Sequence, residues 1–419
     1  MRIAGLTLLL LVLPLSLELA ADPIDDALPD VISFRHLVHA NPELSNRESN
    51  TAKQIAQRLK ALGLNVRTGI AHHGVVGLLK GGKPGPVVAV RADMDGLPVT
   101  EQTDLPFHST ARTTYAGNEV GVAHACGHDI HMSVALGTAM ALAAERDELA
   151  GSVMFIFQPA EEGPPAGEQG GAPLMIAEGV FKDPTPEAIF GVHSWPDHAV
   201  GNVELTSGPA MASSDQFLID LHGRQSHGAW PHLGVDPIVL ASQVILAFQT
   251  IPSRTIDARE PVVVTVGIVR GGERFNIIPD SVHLQGTVRA FSDEVQDQVE
   301  HRMGEILEGL TTAAGATYDF KYERQNPFVN NDPGLSARAH EVLIRTLGAE
   351  NVHDGKPVMV AEDFSWFARE IPGYYFRLGV VAPGTESGSL HTPTFRADDS
   401  AIEPGIRAMT ALVLDYLDQ

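Results

Sequence analysis

Short β-type runs alternate with helical periodicity along most of this chain, and one internal block breaks the alternation with an order of its own. That pattern constrains the fold more than any other feature of the sequence. Apolar residues recur at helical spacing over 25–64, with a break at Asn41-Pro42 and Gly63 placed as a helix stop. Strands are predicted at 75–79, 87–90, 153–157, 189–192 and 203–205, with a helix over 132–149 between them. From Met211 the order becomes strand 216–221, helix 237–250, strand 262–269, strand 281–291, helix 295–310 and strand 318–322, which is the ferredoxin-like β-α-β-β-α-β order. Past Pro327 the chain returns to helix, a strand at 374–378, the segment around His391 and a last helix at 402–417. The expected class is α/β. A discontinuous α/β domain, residues 22–210 and 324–419, carries a mostly parallel central sheet and is interrupted by an inserted α+β lid at 211–323. A length of 419 residues agrees, because single cores stop growing well below that size.

Four groups with metal-ligand chemistry fall within eight residues in His124-Ala-Cys-Gly-His128-Asp-Ile-His131, directly before a predicted helix. The same histidines could also be caps or surface residues. Adjacent carboxylates follow an apolar strand in Gln158-Pro-Ala-Glu161-Glu162-Gly163, where open α/β sheets place ligand sites. Neighbouring side chains there point apart, so one can hold a metal while the other accepts a proton from water; the bland alternative is a solvated acidic turn. Gly191-Val-His193-Ser-Trp-Pro196 and Leu390-His391-Thr-Pro393 each add a histidine that alone would read as a packed core residue. Arg91-Ala-Asp93-Met-Asp95 ends a further strand, and its aspartates could orient a ligand histidine, bind metal or cap a turn. The topology delivers most of these pieces to one edge of one sheet.

Composition narrows the function classes. Net charge is −23 and no run of Lys and Arg could track a phosphate backbone, so nucleic acid is not an expected partner. With 44% hydrophobic and 19% charged residues the chain should fold as a soluble globular protein. Arg2, a Leu-rich run from Leu6 to Leu17 and the small residues Ala20 and Ala21 follow signal-peptide grammar. The run is shorter than the roughly 20 apolar residues of a membrane helix. The expectation is a signal peptide over 1–21, a periplasmic or secreted product and no membrane span in the mature chain. A single cysteine, Cys126, cannot form an intramolecular disulfide, which leaves a core thiol, a reactive one or a metal ligand.

Taken in order and spacing, these motifs resemble the amidohydrolase branch of the aminoacylase and carboxypeptidase metallopeptidases, which includes hippurate hydrolases and indole-acetyl amino-acid hydrolases. The resemblance covers nearly the whole mature chain. It implies a zinc-peptidase-like catalytic domain with a lid, and two divalent metal ions, zinc first, with manganese, cobalt or nickel also compatible. Their ligands would be Cys126, as a shared thiolate where other branches use an aspartate, with His128, Glu162, His193 and His391. Glu161 would be the general base, and Asp95 matches the acidic residue that supports the metal pair. Asp93 stands where wider members carry a ligand histidine, so its role is open, as are those of Glu362 and Asp363. In the lid, Ser226-His227-Gly-Ala-Trp-Pro231 resembles the segment whose histidine stabilises the oxyanion, often from a partner subunit, which implies a homodimer through the lid. Asn276 and Arg289 resemble the pair that holds the substrate carboxylate, a task suited to a planar guanidinium fork. Residues alone would make His227 a turn residue ahead of the Asp236-Pro237 helix start.

The function expected on these grounds is hydrolysis of the amide bond of N-acyl amino acids, hippurate-like, or of similar carboxylate-bearing amides. A carboxypeptidase or dipeptidase acting on short peptides would use the same groups with a different acyl-side pocket. A protein that keeps the fold only to bind metal or peptide would have no use for a free base beside the ligands.

Overall fold

The computed structural model describes residues 22–419; the expected signal peptide at 1–21 lies outside the described residues. The larger sheet has eight strands in the spatial order Asn65–Ile70, Gly74–Lys80, Ala150–Gln158, Lys83–Asp93, Ala188–Ala199, Gly373–Val381, Val203–Leu205 and Val352–Asp354. Its four central strands run parallel. Antiparallel pairings join the outer strands on both sides, Asn65–Ile70 with Gly74–Lys80 and Gly373–Val381 with Val203–Leu205. Central strands buried on both faces need unbroken apolar runs, and Val88-Ala-Val90, Val153-Met-Phe-Ile-Phe157 and Ala188-Ile-Phe190 supply them, all almost wholly inaccessible.

One face of this sheet is covered by the helix His128–Ala144, packed against Pro23–Ala40 and Ile402–Leu417. The middle helix is buried nearly all round from His128 to Leu142, the pattern of a helix inside a core rather than on a surface. A second apolar cluster, with Met175, Phe364, Phe367 and Tyr375, covers the other face.

The inserted lid has its own four-stranded antiparallel sheet, ordered Val263–Arg270, Ser281–Arg289, Ser214–His222, Thr317–Asn326. Burial alternates along the strand from Asp215 to His222, so Phe217, Ile219 and Leu221 face a separate core with Val244, Phe248, Val299 and Met303. The fold is therefore α/β with a mostly parallel central sheet and a ferredoxin-like α+β lid. Among the described residues no helix is long and apolar enough to cross a membrane.

Two shifts from the predicted boundaries bear on the site. The helix expected from 132 begins at His128, because Gly127 takes a left-handed conformation (φ +85°) and turns the motif itself into the first helical turn. The strand expected to stop at 192 continues to Ala199, which puts His193 inside a strand rather than just after it.

Candidate metal centre

The loops at the carboxyl ends of the central strands are built around tight backbone positions. A Cβ on Gly127 would stand 2.0 Å from Ser194 Oγ, so the residue between Cys126 and His128 has to be glycine for the helix start to meet the Ala188–Ala199 strand. A Cβ on Gly191 would likewise fall 2.5 Å from the Tyr375 ring. Two non-glycine residues, Ala160 (φ +55°) and His391 (φ +63°), adopt left-handed backbone, a costly conformation that clusters at functional sites. They lie in the two loops that carry Glu161, Glu162 and the His391 imidazole.

These elements bring the five expected ligands and Glu161 together. His391 Nε2 lies 3.2 Å from Cys126 Sγ and 3.0 Å from Glu162 Oε1. His193 Nε2 lies 3.6 Å from the same sulfur, and His128 Nε2 is 3.8 Å from Glu161 Oε2 and 3.9 Å from Glu162 Oε1. The ring of His193 donates from Nδ1 to the Ser194 carbonyl at 2.7 Å, which leaves the Nε2 lone pair facing Sγ. Burial and the neighbouring His131 keep His193 neutral by pushing its pKa well down. Burial and the carboxylates of Glu162 and Glu161 push the Cys126 thiol well up, so only a cation in contact would make it a thiolate.

Carboxylates hold this arrangement from behind. Asp95 accepts the backbone N–H of Glu161 on Oδ1 and that of Glu162 on Oδ2, each at 3.1 Å, and the Ser45 hydroxyl at 2.7 Å. Its Oδ1 also lies 3.3 Å from His128 Nδ1, without the alignment of a hydrogen bond. Asp93 stands behind His128, with its Oδ1 3.7 Å from His128 Nδ1. It accepts from His131 Nδ1 at 2.7 Å and from the buried Arg91 guanidinium at 2.7 Å. His131 in turn accepts the Ser194 backbone N–H on Nε2, so both of its nitrogens are occupied. Arg91 also donates to Gln158, Glu362 and Asp363. Burial would raise the Asp93 carboxyl, but His128, His131 and Arg91 outweigh it and hold it well below the usual range.

The donor set fits a pair of cations. Buried His128 Nδ1 and Nε2 and Glu162 Oε1 have no hydrogen-bond partner, a cost that native structures seldom leave unmet. Cys126, Glu162 and His391 offer ligand atoms within 4.8 Å of one another, and so do His128, Glu161 and Glu162. Burial and the adjacent Glu362 and Glu162 carboxylates push Glu161 well above the ordinary carboxylate range, and positive charge at the cluster would relieve that. Mixed S, N and O donors suit zinc and similar borderline ions.

The lid residues stand apart. His227 accepts the Ala229 N–H on Nδ1 and lies in a short antiparallel pairing with Ile277. Arg289, half-buried, donates to Thr287 and to the Val288 carbonyl, and the buried amide oxygen of Asn276 has no partner. None of their described hydrogen bonds reaches the Cys126 cluster.

A Cys–His–Glu cluster at the strand ends of a mostly parallel sheet, in a chain with an inserted α+β domain, defines a metallohydrolase architecture. Comparison with known proteins agrees. The sequence profile of peptidase family M20/M25/M40 matches residues 89–415, and the chain belongs to that family. It is 38% identical over 389 residues to an N-acetylcysteine deacetylase of Bacillus subtilis, covering 93% of this chain and 97% of the relative. It is 36% identical over 391 residues to thermostable carboxypeptidase 2 of Saccharolobus solfataricus, covering 92% and 95%. Among solved structures, the B. subtilis YXEP protein, a dinuclear metal binding peptidase, superposes with TM-score 0.80 at 35% identity, covering 94% of this chain and 99% of that one. The protein is thus a hydrolase of a metal-dependent amidohydrolase and carboxypeptidase family.

Sequence reasoning left Asp93, Glu362 and Asp363 without roles and passed over Ser45, Gln158 and Tyr375, whose hydroxyl donates to Glu362 at 2.8 Å. Gln158 carried a signal, as the polar end of an apolar strand. Tyr375 carried none.

Asp129, in the first turn after His128, is buried against Arg35 Nε (2.8 Å) and His39 Nδ1 (2.9 Å), and His39 Nε2 reaches Glu101 at 3.1 Å. Burial opposes the His39 imidazolium, yet the Asp129 and Glu101 carboxylates outweigh it and raise its pKa to about 9. A raised folded pKa stabilises fully below the unfolded value near 6.5 and is lost as pH rises through about 9. We therefore expect stability to fall by on the order of 3 kcal/mol across that window. In His39→Gln the decline should flatten, as read by urea midpoints at pH 6 and pH 9.5; an equal decline in both proteins would contradict this assignment.

Proposed function

We propose that the protein hydrolyses the amide bond of N-acyl amino acids, hippurate-like, or of similar amides that carry a free carboxylate, with Cys126, His128, Glu162, His193 and His391 holding two divalent ions, zinc first. The observation that carries this reading is the convergence of a thiol, imidazoles and Glu162 beside a second carboxylate, Glu161. Two such ions would polarise the amide carbonyl and acidify water at the site. Glu161 takes the proton of the attacking water and returns it to the leaving amine. Asp95 keeps Glu161 in place by holding its backbone N–H. Because the Ala229 N–H occupies Nδ1 of His227, the neutral ring carries its proton on Nε2 and is a ready donor to an oxyanion. Arg289 keeps most of its donors for a substrate carboxylate. Asn276 lies at the other end of the lid hairpin, beside the His227 segment, whose Gly228 N–H its carbonyl accepts at 2.9 Å.

Cleavage of short peptides as a carboxypeptidase is the second reading, favoured by the Saccharolobus relative's name. Turnover of N-benzoyl and N-acetyl amino acids against dipeptides separates the two. Exposed Trp230, Leu233 and Phe275 around His227 and Asn276 support a homodimer through the lid, and the leader-like residues 1–21 support export. The native mass of the chain recovered outside the cytoplasm reads both. A dimer beginning near Asp22 is expected, and an unprocessed monomer removes both proposals.

Glu161→Gln keeps the shape and removes the base. Turnover should drop roughly a hundred- to ten-thousandfold while metal content stays at the wild-type level. Near-normal turnover would sink Glu161 as the base.

A further inference from the structure

Four consecutive residues ahead of the Ser49–Ala61 helix each reach the loop that carries Glu161 and Glu162, or Asp95 behind it. Ser45 donates to Asp95 at 2.7 Å. Asn46 donates to Glu168 and to the Gln169 carbonyl, and Arg47 forms a forked pair with Glu168. Glu48, wholly buried, accepts the Ala160 backbone N–H at 2.9 Å and the Asn46 N–H at 3.0 Å on a single oxygen, Oε1. With Asp95 holding the next two, three successive backbone N–H groups, those of Ala160, Glu161 and Glu162, end on two buried carboxylates. Ala160 is also the residue in left-handed backbone, so its N–H contact is what fixes the turn that aims both glutamates. The 45–48 segment precedes the family-matched residues 89–415.

We propose that Glu48 is a positioning residue for the metal centre: through the Ala160 N–H it sets where Glu161 and Glu162 stand. This rests on the reading of those two residues given above. It needs reach and an acceptor oxygen, not charge. Glu48→Gln keeps an oxygen at the same reach, whereas Glu48→Asp keeps the carboxylate but draws it back by one methylene.

The test compares both variants with wild type in zinc affinity, measured by chelator competition, in kcat and KM, and in hydrogen-exchange protection of the peptide spanning 158–164. The expected result is Glu48→Gln within about threefold of wild type throughout, with Glu48→Asp weakening zinc binding and lowering kcat by about tenfold or more. KM should stay within about twofold, since the carboxylate-binding residues are in the lid, and protection at 158–164 should fall. Glu48→Asp matching wild type in zinc affinity and kcat, or Glu48→Gln falling as far as Glu48→Asp, overturns the proposal. If wild type hydrolyses none of the substrates, the functional reading fails while zinc affinity and exchange still decide the role of Glu48.

Discussion

The buried guanidinium of Arg91 is the interaction on which the rest of the site depends. A cation without solvent has to be met by carboxylates and hydrogen bonds, and Arg91 gathers Asp93, Glu362, Asp363 and Gln158 around itself, with the Tyr375 hydroxyl at 3.3 Å. These partners come from the ends of two parallel strands, the middle of a third and the start of the Phe364–Glu370 helix. Removing one member of such a cluster typically costs about 3–5 kcal/mol, because the charges left behind stay buried. From Arg91 the constraint passes to Asp93, from Asp93 to His131, and from His131 to the Ser194 N–H. The Ser194 hydroxyl then donates to the Cys126 carbonyl at 2.9 Å, which places the sulfur against His193.

A second constraint acts on the carboxylate side. The Ala160–Glu162 turn cannot lean on regular secondary structure, so Glu48 and Asp95 take its backbone N–H groups. The two supports have different partners and meet only at the cluster. Donors at the centre are left free because their backs are engaged: His193 through Nδ1, and Glu161 and Glu162 through their N–H groups. The lid brings a separate core and its own local hydrogen bonds.

Much of this was legible in the sequence. Unbroken apolar runs marked the parallel strands, and the β-α-β-β-α-β order marked the lid. Ligand types clustered at strand ends and at a helix start marked the centre. What stayed hidden depends on contacts distant in sequence. Glu362 and Asp363 meet Arg91 across about 270 residues, and nothing local to either segment announces the pairing. Asp93 could not be told from a ligand, because its alternation with Asp95 is the same whether it faces metal or Arg91. The Asn65–Ile70 strand was missed because it is an edge strand with largely exposed, polar residues and so shows no apolar run. Likewise Glu48 reads as an ordinary residue at a helix start, and only its burial against Ala160 shows otherwise.

The central claim is that this cluster holds two ions and that they serve amide hydrolysis. Titrating chelator-stripped protein with zinc while following amino-acid release from N-benzoylglycine tests it most directly. Release should be absent without metal and saturate at about two ions per chain. Undiminished hydrolysis in excess chelator would contradict it, as would no release from N-acyl amino acids or dipeptides with zinc, manganese, cobalt or nickel.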